Sequence, residues 1–213
     1  MKAMFVEFLN IFNDQHGVYS LSAMLKKNGI DVGYVKRMHL RNSIFMIKNN
    51  PPDVLLYSSF TASIPRIIDF DKKIKELHTN IKSVIRGHGV TFDPFVVSGS
   101  TIDAVCIGEG ETVFHEFILN GFKPIRNIFV NGMSPPTDFS PLINPDSLPF
   151  PDRDLVYNND SLLRNLPSKQ FFSGRGCPYR CSYCFNRKYN DMLKNCGPVI
   201  RKKALIISLK KSI

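Results

Sequence analysis

The segment that most restricts the fold is "DVLLYSS", residues 53–59, which follows the double breaker Pro51-Pro52. A short, almost continuous apolar run bounded by turn residues is the pattern of a strand buried on both faces, and such strands sit at the centre of parallel sheets. Parallel strands need crossover helices, so the flanking sequence should alternate short apolar runs with amphipathic ones.

It does so over the first 120 residues or so. "AMFVEFL" reads as a first strand, followed by a helix with Val18, Leu21, Met24 and Leu25 on one face and Gly29 as its left-handed cap. "IDVGYV" reads as strand two, and Pro65 opens a helix carrying Ile67, Ile68, Ile74 and Leu77 at approximate helical spacing. "IKSVIRG" supplies strand four, "IDAVCIGEGE" strand five with a glycine turn, and "TVFHEFILNG" a helix capped by Gly121. The pattern predicts a doubly wound α/β domain over residues 1–122. Ligands of such sheets bind beyond the carboxyl ends of the strands. Three loops there have suitable small or hydroxylated residues: "SSFTAS", "RGHGVTF" and "GEGE". Ordinary turns have a similar composition, so both readings stand for each loop.

From about Lys123 to Pro167 the texture changes, and "SPPTDFSPLINPDSLPFPDRD" is too rich in proline for a helix or central strand. An extended linker is expected over 123–167, then "KQFFSG" as one short strand in a second unit, 168–213. The net charge of +10 lies almost wholly in the last quarter: from Arg164 onward there are twelve Lys or Arg and one acid, Asp191. A solvated basic face is the commoner meaning of such a cluster, and a nucleic-acid partner is not the expectation. No uncharged apolar run approaches the length of a membrane-spanning helix. A soluble, cytoplasmic protein is expected, with no membrane insertion.

In a reducing compartment the five cysteines point to metal ligation before disulfides. Three of them fall within "GRGCPYRCSYCFN", as Cys177-x3-Cys181-x2-Cys184. Gly174 and Gly176 let the backbone curl, and Arg175 and Arg180 supply positive charge. A structural zinc site would need a fourth ligand, for which Cys196 is the candidate, and with the basic tail would make a zinc-binding nucleic-acid module. Three thiolates on an iron-sulfur cube would instead leave one iron open. Cys106 reads as a core residue, and the five histidines are scattered.

This cysteine motif, with Tyr183 just before the last cysteine, resembles that of the radical S-adenosylmethionine (radical SAM) superfamily. "SLPFPDRDL" followed by "FFSGRGCPYRCSYCFN" is similar to the subgroup with an amino-terminal cobalamin (B12)-binding domain, as are "HGVYSLSAMLKKNGIDV", "PDVLLYSSFTAS" and "DAVCIGEGE". The resemblance implies a [4Fe-4S] cluster on Cys177, Cys181 and Cys184, with S-adenosylmethionine chelating the fourth iron and Tyr183 beside its adenine. Reductive cleavage would give a 5′-deoxyadenosyl radical, with the electron from a donor such as flavodoxin or ferredoxin. Cobalamin would serve as methyl carrier, contacted by Ser58, Ser59, Thr61, Gly87, Gly108, Glu109 and Gly110. The activity implied is methyl transfer or a related radical modification of an unknown substrate.

The chain departs from the pattern in three places. Cobalamin domains that place a histidine on cobalt carry Asp-x-His-x2-Gly; here Asp14-Gln15-His16 is followed by Tyr19 at the glycine position, so His16 is not expected on cobalt. Arg86-Gly87 replaces a double glycine after strand four. Only 29 residues follow Cys184, whereas a partial barrel needs roughly 150 to 200. A chain cut short after the cluster loop is therefore expected, holding only the start of the barrel. A non-catalytic corrinoid binder with a vestigial cysteine loop is the alternative.

Overall fold

The computed structural model describes residues 1–8, 14–36 and 40–202. Leu9 at the end of the expected first strand, His39, and the apolar run 204–213 with its basic end lie outside them. In chain order, β1 (Lys2–Glu7) is followed by α1 (His16–Lys27), β2 (Asp31–Lys36), α2 (Leu40–Asn49), β3 (Val54–Ser58), α3 (Ile64–Leu77), β4 (Lys82–Arg86), the short α4 (His88–Phe92), β5 (Ala104–Cys106) and α5 (Phe114–Leu119).

The strands lie in the order β2-β1-β3-β4-β5, every pair parallel, which is the flavodoxin-like doubly wound arrangement. β3 is central, as its composition requires: Val54, Leu55, Leu56 and Tyr57 are fully buried. Alternate residues supply opposite cores. Val54 and Leu56 pack with Leu21 of α1 and Phe117 of α5, while Leu55 and Tyr57 pack with Ile67 and Phe70 of α3. Pro65 stands in the first turn of α3, where its missing N–H leaves no helical bond unmade.

The expected linker is more structured than its composition indicates. β6 (Ile128–Val130) adds an antiparallel edge strand to β5. Asn127 just before it adopts a left-handed φ of 67°, and its buried side chain donates to the Ile107 carbonyl at 2.9 Å and accepts from the Ser140 amide at 2.7 Å. Residues 134–153 have no α-helix or strand, as the prolines dictate, but α6 (Asp154–Tyr157) and α7 (Ser161–Asn165) then pack Leu155, Val156 and Leu163 into the core under α1. Lys26–Asp152 at 2.7 Å and Lys36–Asp160 at 2.5 Å fasten this segment to α1 and β2.

In the second unit, the strand expected at "KQFFSG" occurs later and shorter, as β7 (Gly174–Arg175), because Phe171 and Phe172 are held in side-chain contacts with Arg153 of the proline-rich segment and His16 of the first domain. After α8 (Phe185–Leu193) the chain returns as β8 (Arg201–Lys202), antiparallel to β7. This unit holds the first strand, cysteine loop and helix of a barrel-type half, and its two-stranded sheet is open among the described residues. No described helix is long and apolar enough to cross a membrane.

At the amino-terminal end of the sheet, fully buried Asp71 accepts from Tyr57 at 3.0 Å and Thr101 at 2.6 Å and pairs with Lys75 at 3.2 Å. Asp71→Ala strands these donors in the core and should cost about 3 kcal/mol. Urea unfolding should show this as a lower midpoint at unchanged slope.

Candidate cofactor cavity and cysteine loop

Because the five strands are parallel, the loops at their carboxyl ends gather on one side, and there they form one wall of a cavity of about 590 Å³. The first domain contributes the start of α1 and the turns after β4 and β5; the opposite wall is Phe171 and Phe172, the β7 strand, and Phe185 and Tyr189 of α8. Gly87 makes the turn after β4 possible. Its φ is 111°, and a Cβ would collide with the Ser59 backbone. His88 packs against Phe60 and, with ring centroids 4.1 Å apart, Phe185. Enclosure and, second, the Arg86 charge hold its imidazole below 6.5, so it is neutral at neutral pH. Arg86 Nη1 donates to the Gly17 carbonyl at 3.2 Å, and its buried Nε finds no partner among the described residues.

The two walls meet at a polar and aromatic junction centred on Asp14. Its Oδ1 accepts from Tyr19 and Arg153 at 2.9 Å and from Tyr157 at 2.5 Å, and its Oδ2 accepts from the Gln170 amide at 2.6 Å. Burial opposes ionisation of this carboxyl, but the bonds from Tyr157, Gln170 and Tyr19, with the Arg153 charge, outweigh it and hold the group below 3.8. Arg153 also lies over the Phe171 ring at 4.5 Å, and His16 stacks on Phe172 at 4.1 Å. Asp14 and His16, the two residues left from the cobalt-ligand pattern, thus grip the segment that leads to the cysteines.

Gly176 turns the chain out of β7 into the cysteine loop with a φ of 83°; a Cβ would strike the Val199 carbonyl. Cys177, Cys181 and Cys184 are half-buried free thiols. Cys184 is the amino-terminal cap of α8, and its amide donates to the Cys181 carbonyl at 3.2 Å. α8 then fastens the loop from behind: Asn190 Nδ2 donates to the Cys177 carbonyl at 2.8 Å, and Arg180 pairs with Asp191 at 3.2 Å. Among the described residues no three His, Cys, Asp or Glu side chains converge closely enough to hold a metal ion. The donor set nonetheless suits an iron-sulfur cluster: three soft ligands, unoxidised, on one loop secured by its helix. Tyr183 is 90% exposed beside them, with its ring free to meet a ligand. Cys196 Sγ lies 4.0 Å from the Phe139 carbonyl.

Of the residues expected to contact cobalamin, Gly87, Gly108 and Glu109 line the cavity. Ser59 is buried and donates to the Arg86 carbonyl at 2.8 Å, so it supports the β4 turn instead of facing the cavity. Ser58, Thr61 and Gly110 are not among the lining residues. Glu109 is tied by ion pairs to Arg175 and Arg201 at 3.2 and 2.6 Å, and Glu111 to Arg175 at 2.5 Å. Glu111, Arg153, Phe171 and Phe172 lie in stretches already singled out in the sequence, but their individual roles, and that of Arg201, were not legible there. The basic excess after Arg164 hinted at Arg201, and each of the five acts through contacts with residues remote in the chain.

The flavodoxin-like sheet thus turns its carboxyl-edge loops toward a cysteine-bearing segment, an arrangement that can be set beside known proteins. Residues 11–118 match the family model for the B12 binding domain. The chain belongs to that family, and its fold is similar to those of two solved S-adenosylmethionine radical enzymes. The radical S-adenosylmethionine methyltransferase TsrM from Kitasatospora setae, solved with cobalamin and a [4Fe-4S] cluster bound, superposes with a TM-score of 0.72 at 16% identity, over 99% of this chain and 46% of that one. The cobalamin-dependent S-adenosylmethionine radical enzyme OxsB superposes at 0.66 and 14% identity, over 99% and 30%. In sequence, an uncharacterized methyltransferase of Pyrococcus horikoshii is 30% identical over 149 residues, 65% of this chain and 32% of the relative. The hopanoid C-3 methylase of Methylococcus capsulatus is 28% identical over 159 residues, 66% and 30%. The chain thus spans about a third of the length of these curated relatives.

The Asp14 junction makes a pH signature. The carboxyl titrates lower folded than unfolded, so its stabilisation is complete above the unfolded value of 3.8 and is lost as pH falls through the folded one. Asp14→Asn should therefore unfold at lower temperature than the wild type at neutral pH, and the gap should narrow below about pH 4 in thermal scans.

Proposed function

We propose that the protein binds a cobalamin in the cavity at the carboxyl edge of the sheet and a [4Fe-4S] cluster on Cys177, Cys181 and Cys184, with S-adenosylmethionine at the open iron, as part of a radical-based methyl transfer or related modification. The observation that supports this best is the shared cavity: turns of a B12 binding domain form one wall, and the segment leading into the cysteine loop forms the other. Its volume falls in the range of ligand sites, and its aromatic lining suits a large, flat ligand. A reduced cluster supplies an electron for cleaving S-adenosylmethionine, and a corrinoid supplies a carrier for the methyl group.

The chain's own residues do the positioning. Gly87 lets the turn after β4 lie against the Ser59 backbone at the cavity wall, and Phe171, Phe172 and Phe185 give the cavity apolar surfaces for a ligand to cover. His88, neutral at neutral pH, offers a polar edge without a charge. Arg86 places a cation at the cavity wall, suited to an anionic group of a ligand. Tyr183 is exposed where an adenine could stack. The electron comes from an external donor such as a flavodoxin or ferredoxin. A corrinoid binder that does no chemistry is the second reading, favoured by a cavity that is formed while the thiols do not converge.

Anaerobic reconstitution with iron and sulfide separates the two. The wild type should take up about four irons, and Cys177→Ala, Cys181→Ala or Cys184→Ala should lose most of them. Hydroxocobalamin titration of the same variants should give unchanged spectra and affinity. Corrinoid binding without iron uptake would leave the second reading; absence of both would defeat the proposal.

A further inference from the structure

The geometry points to Glu109 and Glu111 of the "GEGE" turn as positioning residues that clamp the cysteine loop to the B12 domain. This deepens the proposed cluster reading and rests on it. Arg175 on β7 lies two residues before Cys177, and Arg201 on β8 pairs directly opposite it in the ribbon. Both guanidinium groups converge on Glu109: Arg175 Nη1 lies 3.2 Å and Arg201 Nη2 2.6 Å from Oε1, while Arg201 Nη1 lies 2.9 Å from Oε2. Glu111 takes the other side of Arg175, with Oε1 2.5 Å from Nη2.

The proline-rich segment closes the arrangement. The Ile143 amide donates to Glu109 Oε2 at 3.3 Å, and the Ile143 carbonyl accepts from Arg201 at 2.6 Å. Both Glu109 oxygens are therefore engaged, which argues against its acting as a ligand contact in the cavity it lines. Glu111 and Arg201 are buried, so each charge depends on its partner. Burial alone would raise the Glu111 carboxyl, but Arg175 and Arg86 hold it below its ordinary range. The ribbon also fits too closely to slide: Cβ atoms at Gly174 and Gly176 would strike the carbonyls of Arg201 and Val199. A shift of the "GEGE" turn on filling the cavity would therefore carry Arg175, and with it Cys177.

The test is amide hydrogen exchange on the full chain in Glu109→Gln and Glu111→Gln. Peptides spanning residues 174–176 and 201–202 should exchange at least about tenfold faster, while β3 and β4 keep their protection. In reconstituted protein, the g-values of the reduced cluster should shift in Glu111→Gln and return toward wild type in Glu111→Asp, which keeps the charge; loss of fold stability alone would not produce this pattern. Unchanged ribbon exchange with the sheet still protected overturns the clamp, and so do unchanged g-values. If Glu111→Gln also loses sheet protection, Glu109→Gln, at the more exposed carboxylate, decides by the same two outcomes. Should the wild type form no cluster, faster ribbon exchange still upholds the clamp, and the failure belongs to the cluster reading.

Discussion

Five parallel strands must all end on the same side of their sheet, and the rest of the molecule follows from that constraint. The crossover helices occupy both faces, so the turns after β4 and β5 and the start of α1 come together at one edge that stays open to a ligand. Burial of β3 on both faces makes the arrangement rigid: its four central side chains are shared between two cores, and neither core can shift without the other. The glycine turn at Gly87 is held by β3's own continuation at Ser59. A strand chosen for apolar content thus ends by shaping a cavity wall.

The second unit is assembled on that edge in a different way. It has little core of its own; Leu193 is its one fully buried large apolar side chain among the described residues. Beside the packing of Phe185, Tyr189 and Met192, its hold on the first domain includes directional contacts: the Asp14 network at one end, the glutamate and arginine cluster at the other, and His16 on Phe172 between them. Directional contacts fix orientation better than apolar burial does, at the cost of tolerating few substitutions.

Most of the first domain was legible in the sequence because its elements are long enough to display a period. β3, α1 and α3 carry their burial patterns in consecutive residues, and Gly29 and Pro65 mark their limits as local chemistry requires. The cysteine loop was legible for another reason: its meaning lies in a spacing of eight residues. What escaped notice was short or remote. β6, α6 and α7 span three to five residues each, too few to show periodicity, yet they bury Ile128, Val156 and Leu163. β7 and β8 meet across 25 intervening residues, and no local pattern announces that Arg175 and Arg201 share an acid. The expectation for Glu109 as a cobalamin contact located the right turn, but composition could not reveal that arginines already occupy its oxygens.

Cys106 stands apart from the other thiols. It lies in β5, completely buried, and burial pushes its thiol up to about 12. While the sheet is intact, this sulfur is a spectator: alkylating reagents, oxidants and soft metals should find the four half-buried cysteines well before it. The chain therefore carries an internal reference thiol, silent in the native state and reactive on unfolding, against which the chemistry of the loop sulfurs can be calibrated in a single sample.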